Sequence, residues 1–205
     1  MSDILNRLEM SAQRAANNDT GGTDVIAETP FEHTRPIPPL HKWYPKDCGS
    51  MDLVIRASGD WYHEGTLMTR KKLVDLFSSV LWAELDGETL SYFLKTPVEK
   101  VQIQVEDAPL LITEVDQLEY RGQTHLQFKT AHGDVVVASQ TNPVFMREYQ
   151  GEMRPYIEVR DSLVGLIHRN VFFHLVNLGK MQGEGDAATL IIDSGDARFE
   201  LQSAQ

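Results

Sequence analysis

The chain has 205 residues, 41% of them apolar, and a formal net charge of −11. That length suits one large domain or two small ones and can bury a real core. The acidic balance repels phosphate backbones and anionic lipid, so neither nucleic acid nor a membrane surface is expected as a partner. No apolar run nears the roughly 18 residues of a membrane span. The start, MSDILNRLEM, lacks the basic-then-apolar pattern of a signal peptide. Cys48 is the single cysteine, which excludes an internal disulfide and a thiolate metal cluster. A cytoplasmic location is the expectation.

Ile4, Leu8, Ala12 and Ala15 have roughly helical spacing. Asn17 to Asp24 is polar and Gly-rich, and Thr29 to Leu40 holds four prolines. Such composition builds no core, so residues 1–35 read as a flexible arm. Either the arm is a solvated tail, or it docks on the body or on a partner. From about Pro36 the pattern is dense. Asp52 to Arg56 and Trp61 to His63 read as a hairpin across Ser58-Gly59-Asp60. Thr69 is the expected N-cap of a helix whose apolar stripe is Leu73, Leu76, Phe77, Val80 and Leu81. Leu90 to Leu94 and Val98 to Glu106 read as strands. In the second, Val101, Ile103 and Val105 face one way and Lys100, Gln102, Gln104 and Glu106 the other.

Leu110 to Val115 reads as a buried strand, followed by a turn at Arg121-Gly122. Leu126 to Thr130 and Asp134 to Ala138 form a hairpin across His132-Gly133, and Tyr156 to Val159 is extended. Asp161 is the expected cap of a long helix, Ser162 to Leu178, buried between layers and ended by Gly179. Thr189 to Ile192 and Ala197 to Leu201 close the chain as a hairpin. Strands, a helix and a hairpin thus recur over about 51–106 and 124–201. The reading is α+β, with two related halves at 36–118 and 119–205, each of antiparallel strands packed on one helix.

Five short runs are familiar in order: Cys48-Gly49-Ser50-Met51-Asp52, Gly59 to Gly65 (GDWYHEG), Lys95 to Val101 (KTPVEKV), Val105 to Pro109 (VEDAP) and Tyr156 to Leu163 (YIEVRDSL). As a set they resemble the proteobacterial domain-of-unknown-function family numbered 1285, over about Pro36 to Leu201. The resemblance implies a duplicated core whose C-terminal half is like a pleckstrin-homology domain. It also implies a nucleotide-like ligand between the halves and a role in signalling. It assigns no catalytic residue.

Candidate chemistry is sparse. Arg70, Lys71 and Lys72 open the first predicted helix, where the dipole disfavours cations by about 0.3–1 kcal/mol each. Such an arrangement reads as an anion site, or as a solvated face. Lys100, Gln102, Gln104 and Glu106 would line one strand face, either to read a ligand's hydrogen-bonding edges or as plain solvent-facing polarity. Arg160 is read as pairing with a ligand phosphate or, structurally, with an interface carboxylate, the latter favoured. His63-Glu64 are adjacent on a strand and face apart, and His168 and His174 share no helix face well, so no metal site is read. Cys48 lies in a predicted loop with nothing to activate it, and no G-x-S-x-G or phosphate-loop motif is present.

The leading expectation is a non-catalytic ligand-binding or signalling protein that takes an anionic or nucleotide-like small molecule between its halves, with no cofactor. An adaptor that meets a protein partner through the Pro-rich arm and sheet edges is the alternative. A hydrolase of a phosphorylated metabolite, resting on His63, Glu64 and the basic cluster, is a third.

Overall fold

Left-handed turn residues set the strand boundaries. Gly59 (φ 88°), Gly87 (φ 60°) and Gly122 (φ 76°) each sit between two antiparallel strands, where an L side chain would be strained. The computed structural model describes residues 3–17, 30–32, 34–183 and 189–202. Most of the expected Asn17–Asp24 linker lies outside the described residues. The chain falls into two units: one holds 3–17 and 35–109, the other 30–32, 34 and 110 onwards.

The N-terminal unit opens with α1 (Asp3–Asn17), followed by a 3-10 turn (Leu40–Lys42), β1 (Lys46–Ile55), β2 (Trp61–His63), β3 (Thr66–Leu67), α2 (Lys71–Ser79), β4 (Leu81–Asp86), β5 (Thr89–Lys95) and β6 (Glu99–Val105). Its sheet runs β3-β2-β1-β6-β5-β4. Two antiparallel meanders therefore meet at one parallel pair, β1 with β6. The expectation of antiparallel strands alone is corrected at that seam.

Residues 3–17 are not a loose arm. Leu5, Leu8 and Ala12 lie at helical spacing and are all buried, and α1 packs on α2. Arg7 Nε reaches Glu99 Oε2 at 2.8 Å. Helix α2 begins one residue later than expected, with Arg70 rather than Thr69 at the N-cap and no side-chain cap. It also stops early. Leu81 starts β4, because Val80 and Leu81 continue into an alternating buried pattern that pairs with β5. Arg35 donates to the Asp75 carbonyl and to Ser78 Oγ, binding the last turn of α2 where a cation suits the dipole.

The C-terminal unit holds β7 (Leu110–Tyr120), β8 (Gln123–Thr130), β9 (Val135–Val137), β10 (Val144–Tyr149), β11 (Glu152–Arg160), β12 (Leu163–Ile167), α3 (Arg169–Leu178), β13 (Lys180–Gln182), β14 (Thr189–Ser194) and β15 (Ala197–Gln202). The six-stranded sheet β10-β11-β12-β7-β8-β9 again joins two antiparallel meanders through one parallel pair, β12 with β7. β13-β14-β15 form a separate antiparallel sheet. The expected division at 118/119 falls inside β7. Helix then three-stranded meander recurs, as α2 with β4-β5-β6 and α3 with β13-β14-β15. Mixed α and β with two similar six-stranded sheets is the architecture.

The long second helix is the main correction. Asp161 (φ 47°) and Ser162 (φ 62°) form a tight turn between β11 and β12, not a helix cap. Leu163 to Ile167 alternates buried and half-buried, the period of a strand. Gly165 lets β12 lie close to its neighbours, since an added Cβ would sit 2.7 Å from Ile112 Cδ1. The helix starts after His168, whose Nδ1 accepts from Asn170 N. It buries Val171 and Leu175 while Phe173 is exposed, so it is amphipathic rather than enclosed. Gly179 is extended (φ −85°), not left-handed. It is small because an added Cβ would meet the Ile191 carbonyl at 2.8 Å.

Candidate functional site

The site is built on one face of the second meander in the N-terminal unit. Trp82 pairs with Phe93, and Lys95 with Lys100, across β4, β5 and β6. Residues two apart on a strand share a face, so Trp82, Glu84, Phe93, Lys95, Lys100 and Gln102 all point the same way. His41, Trp43, Tyr44 and Pro45 come from the 3-10 turn and the extended segment before β1. They join Trp82, Glu84, Lys95 and Lys100 around a cavity of about 370 Å³. That size lies in the ordinary range of small-molecule sites, about 300–1,000 Å³.

Two ammonium groups sit among these rings. Lys95 is only 5% exposed, and its Nζ stands 3.8 Å from the centre of the Trp82 ring. Lys100 Nζ lies 4.4 Å from the Phe93 ring centre and 2.6 Å from Glu84 Oε2. Glu84 also accepts from Trp82 Nε1 at 3.1 Å, which orients the indole. Cation–π contact and an ion pair together hold the lysines without long-chain freedom. Among the described residues that line the cavity, Lys95, Lys100 and Glu84 carry charge, in a chain of net charge −11. Tyr44 is 90% exposed at the rim, a large ring with little to hold it.

The residues singled out in the sequence are scattered relative to this cavity. Lys100 lines it, and Gln102 and Gln104 continue the same face, exposed. Glu106 is engaged elsewhere: it accepts from Arg56 and from Ala57 N. Those bonds, the Arg56 side chain first, hold the Glu106 carboxyl below its usual range. Arg70, Lys71 and Lys72 do not line the cavity. Arg70 Nη2 lies 3.4 Å from Glu9 Oε1, Lys71 Nζ lies 2.7 Å from Asp75 Oδ2, and Lys72 is exposed. The carboxylates of Glu9 and Asp75 offset the unfavourable helix-start cations. Arg160 pairs with the buried Asp134 at 3.0 Å, a carboxylate of its own unit.

His63 Nδ1 and Glu64 Oε2 stand 4.0 Å apart, closer than a strand alone allows, because Glu64 is in a left-handed turn (φ 49°). Cys48 lies in β1 rather than in a loop, and is exposed. His174 is exposed. Among the described residues no three His, Cys, Asp or Glu side chains are grouped to hold a metal ion. Among the same residues no helix is long and apolar enough to cross a membrane.

Two family models match in tandem. Residues 38–108 fit the N-terminal domain of a domain of unknown function, DUF1285, and residues 109–201 fit the C-terminal domain. The chain belongs to the DUF1285 family. The junction between the two matches falls within one residue of the end of the N-terminal unit at Pro109. A crystal structure of a DUF1285 protein from Silicibacter pomeroyi DSS-3 is 34% identical, covers 85% of this chain and 91% of that one, and superposes with a TM-score of 0.73. A second, from Shewanella baltica OS155, is 32% identical over 61% of this chain and 90% of that one, with a TM-score of 0.46. No curated protein matches. The residues that reasoning from the DUF1285 sequence missed are Trp43, Tyr44, Trp82 and Lys95. The available signal was the Lys42-Trp43-Tyr44-Pro45 run, an aromatic pair held extended before a proline.

Proposed function

We propose that this DUF1285 protein is a non-catalytic binding protein whose N-terminal unit takes a planar, anionic small molecule of the nucleotide type. One observation carries the reading: Lys95 and Lys100 line an aromatic cavity in an otherwise acidic chain. Rings at Trp43, Tyr44 and Trp82 offer stacking, which contributes about 1–3 kcal/mol per base in aromatic nucleic-acid sites. The ammonium groups offer the charge that a phosphate or carboxylate needs. Every lining residue belongs to one unit, so the reading needs no seam between halves. A hydrolytic role would rest on His63 and Glu64 at an exposed turn, and the enclosed lysines favour binding over it. Signalling in the cytoplasm and a pleckstrin-homology-like C-terminal unit complete the reading. The family resemblance supports them.

Tryptophan fluorescence tests it, since two of the three tryptophans line the cavity and the third, Trp61, is buried. Nucleoside monophosphates are expected to quench saturably, with the parent nucleosides at least about tenfold weaker, or about 1.4 kcal/mol. Lys100→Gln should weaken binding by a similar factor, while Glu84→Gln should strengthen it by removing the repelling charge. Equal affinity for nucleoside and nucleotide, or no saturation by millimolar ligand, refutes the proposal.

A further inference from the structure

The C-terminal unit carries a second constellation, on the opposite chemistry. His125, Gln127 and Lys129 alternate along β8 and so share one face. Along that face lies a short stretch of the chain itself, remote in sequence by more than ninety residues. Phe31 sits edge-on to Tyr120 and His125, with ring centres 5.4 and 5.3 Å away. Glu32 N donates to Gln127 Oε1 at 2.7 Å, and Gln127 is only 3% exposed. Glu32 Oε2 lies 3.3 Å from Lys129 Nζ, and Thr34 Oγ1 accepts from Val135 N at 3.2 Å. Val135 is on β9, the edge strand of the sheet.

These contacts have the form of linear-segment recognition. An aromatic pocket takes one ring. A buried amide oxygen takes a main-chain N–H of any residue type. A cation takes the next carboxylate, and a sheet-edge N–H takes a hydroxyl. None is a strong anchor alone, since Lys129 and Glu32 are both partly solvated and such pairs contribute little. The site is also larger than its occupant. Phe31 borders a cavity of about 500 Å³ that continues past Tyr120 and His125 to Ser139, Thr141 and Asp196. His125 is held there under Gly195, where an added Cβ would sit 2.6 Å from its ring.

The geometry points to this face as a peptide-docking surface for an extended partner segment bearing an aromatic residue followed by an acidic one, with Phe31, Glu32 and Thr34 of the chain occupying it as an internal ligand. The covalent tether gives the internal segment an effective concentration of roughly millimolar order. A separate peptide therefore competes poorly until the segment is released.

The test uses the full chain and a fluorescein-labelled peptide copying residues 29–35, TPFEHTR, read by polarisation. The variant Phe31→Ala/Glu32→Lys, checked for a cooperative thermal transition, is expected to bind the peptide at least about tenfold more tightly than the unaltered chain. Binding should be lost with a peptide carrying alanine for phenylalanine, and with Lys129→Glu added to the receptor. If the double variant does not fold, Glu32→Lys alone replaces it. No saturable binding to the folded, released chain overturns the inference and leaves Phe31, Glu32 and Thr34 as packed connection residues. So does equal binding of the alanine peptide. Neither outcome touches the nucleotide reading, which concerns the other unit and another ligand.

Discussion

Replacing Leu8 by alanine asks whether α1 is part of the folded N-terminal unit or an appendage. Leu8 is 1% exposed, between Leu5 and Ala12 on the face of α1 that meets α2. In a closed core, Leu→Ala costs about 2–5 kcal/mol, from lost transfer energy plus the cavity left behind. A terminal helix has an escape that a central one lacks, because it can undock. The loss is therefore capped by the docking free energy of α1. Two buried leucines contribute roughly 1.5–3 kcal/mol each, and ordering the helix takes some of that back, since a helix of this length is marginal alone. The expected cost is about 2 kcal/mol. At about 2–4 °C per kcal/mol for a chain of this size, the midpoint should fall by about 4–8 °C. Urea unfolding gives the free energy, and hydrogen exchange shows whether α1 amides lose protection. The Arg7→Ala variant provides a cross-check, as it leaves Glu99, 4% exposed, without its cation. If undocking sets the limit, the two substitutions together cost less than their sum. A Leu8→Ala chain within about 0.3 kcal/mol of the parent, with α1 protection unchanged, would refute the docked reading.

Two further outcomes follow from local geometry. Ser162→Gly should stabilise the fold by about 0.5 kcal/mol, because Ser162 holds φ 62° in the β11–β12 turn and glycine carries no left-handed penalty. In a helix the same change would destabilise by about 0.5–1 kcal/mol, so the sign of a thermal shift decides between turn and helix. Glu106 should titrate below the ordinary carboxylate range by NMR, and Arg56→Gln should move it back up. Since the folded value is the lower one, the Arg56–Glu106 contribution is present above the unfolded carboxylate range and fades as pH falls. An unmoved Glu106 titration in the Arg56 variant removes that account.

The hairpins at Ser58-Gly59-Asp60, Arg121-Gly122, His132-Gly133 and Ser194-Gly195-Asp196 could all be read directly, because turn chemistry acts over four residues and needs no tertiary partner. The alternation of Val101 and Ile103 with Lys100, Gln102 and Gln104 was legible for the same reason: one buried face imposes a period of two within the strand itself. Strand β10 was not legible. Val144 to Tyr149 carries Met146, Arg147 and Glu148 without clean alternation, and what holds it is the ladder to β11, with Phe145 and Arg147 against Tyr156. Leu163 to Ile167 could serve a helix or a strand. The choice was made by β7, which offers a parallel ladder that only a strand, with Gly165 at the close contact, can accept. The aromatic cavity draws on residues from His41 to Lys100 across four separate segments, and no periodicity links them. Local sequence thus determined where the chain turns and which way each strand faces, since those energies are short-ranged. Which side chains share a pocket was decided only when distant strands paired, because sheet register alone brings Trp82, Lys95 and Lys100 onto one surface.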